Sequence, residues 1–287
     1  MTDARGGRTF RALRSTRAWK RTVGVLVALP IWAFCLAYCF PILYMFMTSF
    51  KTEADAVPPR LFFVPTLANY ATVLSGGILP YLYNSLIITL AAMALSIVLG
   101  LPAAYVIVFG KLKHPDSVYF WFLSTTLMPA VSVIIPVFMV FRGLGALDSR
   151  WGMILVYMGA NIPIVVWMVR SFLKDIPIEL LEAAEIDGAT RLSAFFRIIL
   201  PLARGGIIST ALLVFIFIWN EFFFAVNLTY VHAGTMPVFM ASYMTQEGLF
   251  WAKLSAISTL TVLPPLILGW ISQKALVRGM MMGAVKG

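Results

Sequence analysis

The 287-residue chain reads as an all-α polytopic membrane protein with six transmembrane helices. Composition is the first reason: 61% of its residues are hydrophobic and 12% are charged, against about a quarter charged in an ordinary soluble domain. The second is spacing. The charges cluster and leave uncharged runs long enough to cross ~30 Å of hydrocarbon, which takes about 20 helical residues. The third is that Lys and Arg gather in alternate connections between those runs, as topology rules require. Backbone inside lipid must satisfy its own hydrogen bonds, so each run is read as a helix.

Taken in order, the uncharged runs are 23–47, 81–109, 117–141, 151–169 and 254–273; a sixth span begins near Gly205 and contains one acid, Glu221. Ahead of the first run, Arg5, Arg8, Arg11, Arg14, Arg17, Lys20 and Arg21 form a basic arm over 1–22. The run that follows exceeds the 7–15 residues typical of a signal-peptide core, so it reads as a retained first helix. With the arm in the cytoplasm, only Lys51, Arg60, Arg142, Arg150 and Lys253 of the 22 Lys and Arg fall on the other side. Both termini are therefore expected in the cytoplasm. The net charge of +10 is assigned to membrane topology and lipid headgroups, not to nucleic acid. The chain divides into the arm 1–22, a membrane domain 23–275 with a cytoplasmic loop at 174–204, and a cytoplasmic tail 276–287.

Pro30, Pro41, Pro102, Pro129, Pro136 and Pro163 lie within these runs, where proline bends a membrane helix. Cys35 and Cys39 lie one turn apart in the first span and read as small helix-packing residues, which excludes a disulfide framework. His114 and His232 are isolated on opposite sides, so no metal site is expected. The outer segments are short. Residues 51–80 read as an ordered loop with one short helix, 142–150 as a tight connection and 227–252 as an aromatic-rich loop. None approaches the ~100 residues of a domain, so high-affinity solute capture must come from another polypeptide. Trp219, Trp251, Tyr230 and Tyr243 are expected in the interfacial belt, with stacking on sugar rings as the other reading.

The loop 174–204 is the most informative segment. Asp175 ahead of Ile176-Pro177 predicts a capped helix start. Glu179, Glu182 and Glu185 share one stripe of the helix that follows, and Leu180, Leu181, Ala183 and Ala184 occupy most of the remainder. Asp187-Gly188 predicts its end, because glycine takes the left-handed conformation at low cost. A second helical stretch from Thr190 or Arg191 carries Phe195, Phe196, Ile198, Ile199 and Leu200 back to the membrane, with Pro201 at re-entry. An acidic stripe is repelled by anionic headgroups, whereas interfacial helices usually carry Lys and Arg on the polar face. The helix is therefore read as a docking element for another protein.

Residues 182–201 run Glu182-Ala183-Ala184, three residues, Gly188, nine residues, then Ile198-x-Leu200-Pro201. This resembles the E-A-A signature of binding-protein-dependent ABC importer permeases at every fixed position. Further phrases are similar to the carbohydrate-uptake branch: Thr48-Ser49-Phe50-Lys51, Tyr83-Asn84-Ser85-Leu86, Gly100-Leu101-Pro102-Ala103-Ala104-Tyr105, Asp187-Gly188-Ala189, Ile218-Trp219-Asn220-Glu221-Phe222 and the terminal Gly283-Ala284-Val285-Lys286-Gly287. The chain looks like the smaller, six-span permease of maltose- and glycerol-phosphate-type importers. The resemblance implies the type I permease fold of ABC importers and a role as permease subunit for a sugar or related solute, such as an oligosaccharide, polyol or sugar phosphate. It implies as partners a dimer of nucleotide-binding ATPase subunits, a second permease subunit in a heterodimer, and an external solute-binding protein, all at a bacterial inner membrane. It assigns Glu182, Ala183, Ala184, Asp187, Gly188, Ile198, Leu200 and Pro201 to ATPase coupling.

Asn220 and Glu221 are candidate pathway or gate residues. An ionisable group inside a span costs about 2.5 kcal/mol or more and faces a cavity or partner; the other reading is that the span bends or ends there and Glu221 meets water. There is no G-x-x-x-x-G-K-[ST] phosphate loop, no nucleophile–base pairing and no cofactor motif, so ATP hydrolysis falls to a separate subunit and the chain is not read as an enzyme. The alternative function is an ion-gradient-driven secondary transporter. That reading gives no reason for an acidic helix outside the membrane and lacks a chain of intramembrane acids.

Overall fold

The computed structural model describes residues 6–245 and 248–284. Its helices are α1 (Gly6–Thr48), α2 (Glu53–Ala56), α3 (Ala68–Ser75), α4 (Ile78–Phe109), α5 (Pro115–Thr126), α6 (Ala130–Leu144), α7 (Arg150–Leu173), α8 (Glu179–Ile186), α9 (Arg191–Ala194), α10 (Leu200–Trp219), α11 (Phe223–Leu228), α12 (Met236–Ala241) and α13 (Trp251–Ala284). A single wide π turn, Phe195–Ile199, joins α9 to α10. A two-residue hairpin, Met244–Thr245 against Gly248–Leu249, precedes α13.

Five stretches are long and apolar enough to cross a membrane: Val27–Thr48 of α1, α4, α7, Arg191–Trp219 and Trp251–Gln273 of α13. The third predicted crossing, 117–141, is not one straight helix. It is broken into α5 and α6, which meet at 87°. Pro129 has no N–H to donate and disfavours helix at Met128 before it. The end of α5 is closed instead by tight turns, Leu127 N–H to Ser124 O and Met128 N–H to Thr125 O, and Pro129 becomes the first residue ahead of α6. Pro136, in the same run, stays inside α6, as do Pro30 and Pro41 in α1, Pro102 in α4 and Pro163 in α7.

The core is built on α4 and α7. Ala92, Ser96, Gly100 and Ala104 recur every fourth residue of α4, so they form one ridge, and all four are buried. Small residues in such a ridge let two membrane helices approach closely. Ser96 Oγ reaches Met158 O of α7 at 3.3 Å, and a Cβ placed on Gly100 would lie 2.7 Å from Val165 Cγ1. A second close crossing puts the Phe172 ring of α7 on Gly206 of α10.

Around this pair, α10 packs on α4, α7 and α13. Trp219 was expected at the interface; it is fully buried, stacks on Phe215 at 5.5 Å and donates Nε1–H to Thr261 O of α13 at 3.1 Å. A free carbonyl beside a buried indole explains the difference, since a buried Trp needs an acceptor.

Helix α1 lies apart, with α13 as its main neighbour, and its membrane segment is exposed. Cys35 and Cys39 are likewise exposed, so they do not pack inside this subunit. Where α1 ends, the Thr48-Ser49-Phe50-Lys51 turn is fastened to α3: Asn69 Nδ2 donates to Ser49 O and Lys51 O at 2.8 and 2.7 Å, and Tyr70 Oη lies 2.7 Å from Ser49 Oγ. The 51–80 segment holds two short helices, not one. The carboxylate of Glu53 on α2 accepts the N–H groups of Ala252 and Lys253 at 3.0 and 3.1 Å, placing an anion at the N-terminus of α13 where the helix dipole favours it.

Candidate functional site

The E-A-A segment folds as a short helix outside the membrane bundle. Its cap position falls to Ile178, without a side-chain cap, and not to Asp175 as the sequence suggested: Leu180 N–H already bonds Pro177 O and Glu182 N–H bonds Ile178 O. Leu181 and Ala184 are buried against the rest of the chain, which fixes the roll of α8. Glu179, Glu182, Ala183 and Glu185 are left exposed. Of the two alanines, only Ala183 remains on the open face.

The helix ends in a Schellman turn. Gly188 N–H bonds Glu185 O at 3.1 Å and Ala189 N–H bonds Ala184 O at 2.9 Å, and Gly188 has φ +81°, a conformation in which a side chain is strained. Asp187 is the residue immediately before this turn. The chain reverses into α9, whose Thr190 Oγ1 accepts Ser193 N–H at 3.2 Å. An exposed Arg191–Glu185 pair at 3.4 Å spans the turn and contributes little.

Re-entry differs in detail from the motif. Ile198 and Leu200 are half-buried and Pro201 exposed; the fully buried residue is the variable one between them, Ile199. In the π turn Leu200 N–H reaches back to Phe195 O, one residue further than α geometry. Phe195 meets the Tyr105 ring at 5.0 Å, so the loop is packed onto the end of α4.

The opposite end of the molecule carries a second network. Helix α10 stops at Trp219 with Asn220 as its cap, so Glu221 lies beyond the helix and not within it. Its carboxylate accepts Phe224 N–H at 2.9 Å and Ala225 N–H at 3.4 Å, opening α11, and Tyr157 Oη donates to it at 2.7 Å. Asn220 stays exposed, its Nδ2 on Ile216 O at 2.8 Å.

Beside this, the loop after α11 is pinned from two sides. Asp148 accepts the N–H groups of Tyr230, Val231, His232 and Ala233 at 2.9–3.0 Å. Partial burial pushes its carboxyl up, but these four donors outweigh burial and hold it below the ordinary value. From α4, Asn84 Nδ2 donates to His232 O and Gly234 O at 2.8 and 3.0 Å. Ser85 Oγ accepts Met236 N–H at 2.7 Å, and Arg150 Nε donates to Asn84 Oδ1 at 2.7 Å.

Glu182 to Pro201 thus gather at one end, and Asn220 and Glu221 at the other. Sequence reasoning missed Tyr157, Asp148 and Arg150. Asn84 and Ser85 stood inside a quoted phrase, but no part was read for them. Among the described residues no group of His, Cys, Asp or Glu could hold a metal ion.

Comparison with known proteins agrees along the chain's length. Residues 96–281 match the family described as binding-protein-dependent transport system inner membrane component. The chain is 34% identical, over 86% of its length and 89% of the relative's, to the sulfoquinovosyl glycerol transport system permease protein SmoH of Agrobacterium fabrum. It is 32% identical to the trehalose/maltose transport system permease protein MalG of Thermococcus litoralis, covering 93% of this chain and 98% of that one. A crystal structure of a bacterial ABC transporter that imports alginate contains a chain of the same fold, with TM-score 0.72 at 23% identity, over 96% and 99% of the two lengths. The chain belongs to the family of binding-protein-dependent transport system inner membrane components: it is a permease of an ATP-driven importer and not an enzyme.

Proposed function

We propose that the chain moves a sugar or related solute inward, as one half of a permease heterodimer whose ATPase subunits grip α8. The observation that carries the coupling assignment is the exposed Glu179–Glu182–Glu185 face of α8, rolled into place by buried Leu181 and Ala184 and ended by Gly188 at φ +81°. In this reading Glu182 and Ala183 meet the ATPase, Ala184 anchors the helix to its own subunit, and Asp187 and Gly188 make the turn. Ile198, Leu200 and Pro201 join the loop to α10. The glycoside names of the two permease relatives support a carbohydrate, polyol or sugar phosphate as cargo. The basic arm 1–22 and the tail 276–287 belong on the cytoplasmic side with the loop 174–204, and a binding protein delivers solute to the opposite face.

Gly188→Val tests the loop, because φ > 0 is costly for a β-branched residue by about 1–3 kcal/mol. The variant is expected to insert normally yet recover less than about a tenth as much ATPase on purification, following that energy. A fully active complex would overturn the turn assignment. Uptake abolished by vanadate but untouched by collapse of the ion gradients is expected; the reverse would indicate the secondary-transport alternative.

At the far end, Asn220 lines the pathway and Glu221 supports it by holding α11 against Tyr157. Glu221→Gln is expected to lower uptake at least about tenfold, the loss of a charge-assisted hydrogen bond being worth about 1.5–3 kcal/mol, and Asn220→Ala several-fold, a neutral bond being worth about 1 kcal/mol. Unchanged uptake in both variants, measured with disaccharide, polyol and sugar-phosphate panels, would remove these residues from the pathway.

A further inference from the structure

Between α2 and α3 the chain runs Leu61-Phe62-Phe63-Val64-Pro65-Thr66-Leu67, without a charge. Both ends of this loop are tied. At one, Arg60 N–H bonds Asp55 O at 3.0 Å and its guanidinium reaches Asp55 Oδ1 at 3.3 Å. At the other, Thr66 N–H bonds Phe50 O at 2.8 Å. In between, Phe63 turns inward, its ring 5.1 Å from Lys51 Nζ, which also lies 4.6 Å from the Tyr44 ring. A cation shared by two aromatic faces holds the loop to the end of α1. The neighbours of Phe63 turn outward: Phe62 is 95% exposed and Val64 81%, with Leu61 beside them also exposed.

The same contacts fix the depth of the loop. The uncharged run 23–47 ends at Thr48 and Ser49, so that turn marks where the span leaves the hydrocarbon. Phe63 shares Lys51 with Tyr44, and Thr66 is bonded to Phe50, so residues 63–66 lie level with the last turns of α1 and the turn that follows. Successive Cα atoms are about 3.8 Å apart, so Phe62 stays close to that level. The loop folds back to the boundary between headgroups and acyl chains.

Its composition suits that boundary. Pro58, Pro59 and Pro65 have no N–H to strand where water is scarce. From Leu61 to Pro65 no side chain donates or accepts a hydrogen bond, and Arg60 is paired with Asp55. A protein partner is met through a polar rim around its apolar contact. Lipid asks only for apolar area at the right depth, which Phe and Leu supply. The membrane segment of α1, to which the loop is fastened, is itself exposed, so the cluster continues a surface already open at the edge of the subunit.

We propose that Leu61, Phe62 and Val64 insert into the leaflet away from the E-A-A loop, where headgroups meet acyl chains, and hold this end of α1 at a fixed depth. The test uses the assembled transporter in bilayers of phosphatidylethanolamine and phosphatidylglycerol, with Cys35→Ala and Cys39→Ala as background and a nitroxide on Phe62→Cys or Val64→Cys. Both labels are expected to collide several-fold more often with oxygen dissolved in lipid than with a water-soluble nickel chelate. Phe62→Ser is expected to lower the ratio of inserted to withdrawn loop, read by the Val64→Cys label, at least about tenfold, the equivalent of one buried Phe. Phe62→Leu is expected to keep it. Labels that favour the nickel chelate would overturn the proposal. So would a photo-crosslinker at Phe62 that captures the second permease or a binding protein and no lipid.

Discussion

Gly100→Leu is expected to lower the stability of the assembled permease by about 3 kcal/mol, the upper end for overpacking a filled core. The site leaves no room: even a methyl group would sit 2.7 Å from Val165 Cγ1, and Ala92, Ser96 and Ala104 bind α4 to α7 along the same ridge. The opposing wall is a β-branched side chain with a stiff χ1, so it cannot swing away. Thermal unfolding of the purified complex, with the yield of membrane-inserted chain, measures the loss. Gly100→Ala is expected to be milder and to be rescued by Val165→Ala, whereas additive losses in that pair would show that the two positions do not meet.

Asp148→Ala is expected to free the loop at residues 229–235 while leaving the E-A-A loop untouched. Four N–H groups converge on one partly solvated carboxylate, and we set their combined value, after solvent screening, at about 2 kcal/mol. Amide hydrogen exchange at Val231, His232 and Ala233 is expected to speed up by roughly thirtyfold, the equivalent of that energy. Exchange in α8 should not change. The pH dependence has a definite sign. The folded carboxyl lies below its ordinary value, so the clamp contributes fully above that ordinary value and is lost as pH falls through the folded one. The loop should therefore remain protected at neutral pH and loosen only in strong acid. Loosening near neutrality would mean another group holds it.

Much of this architecture was legible because lipid imposes a simple requirement. A run without charges must be helix, and the runs 81–109 and 151–169 became α4 and α7 with their ends shifted by a few residues. Asp187-Gly188 was legible as a stop because glycine has a conformational use that few residues share. The break at Pro129 was not, since Pro136 has the same chemistry and stays helical; the difference is that Ser124 and Thr125 carbonyls accept the turn ahead of Pro129. Glu221 resisted reading for a different reason. Its two acceptor oxygens serve α11 and Tyr157, a residue 64 positions earlier, and no local pattern announces a partner so distant. Asp148 was invisible likewise, because its donors are backbone N–H groups, which sequence does not distinguish.

The break between α5 and α6 also says something about what surrounds it. Twelve and fifteen residues give rods of about 18 and 22 Å, each too short to cross the hydrocarbon alone. The joint at Leu127, Met128 and Pro129 sets the two rods at 87°, with Leu127 and Met128 outward on this subunit. Hydrocarbon tolerates no unpaired peptide groups, and the elbow meets much of that condition by itself: Leu127 and Met128 N–H close on Ser124 O and Thr125 O, and Pro129 has no N–H to satisfy. The bend therefore asks its surroundings for no acceptor at these two donors, and α5 and α6 stand as separate rods with no helical ladder running through the joint.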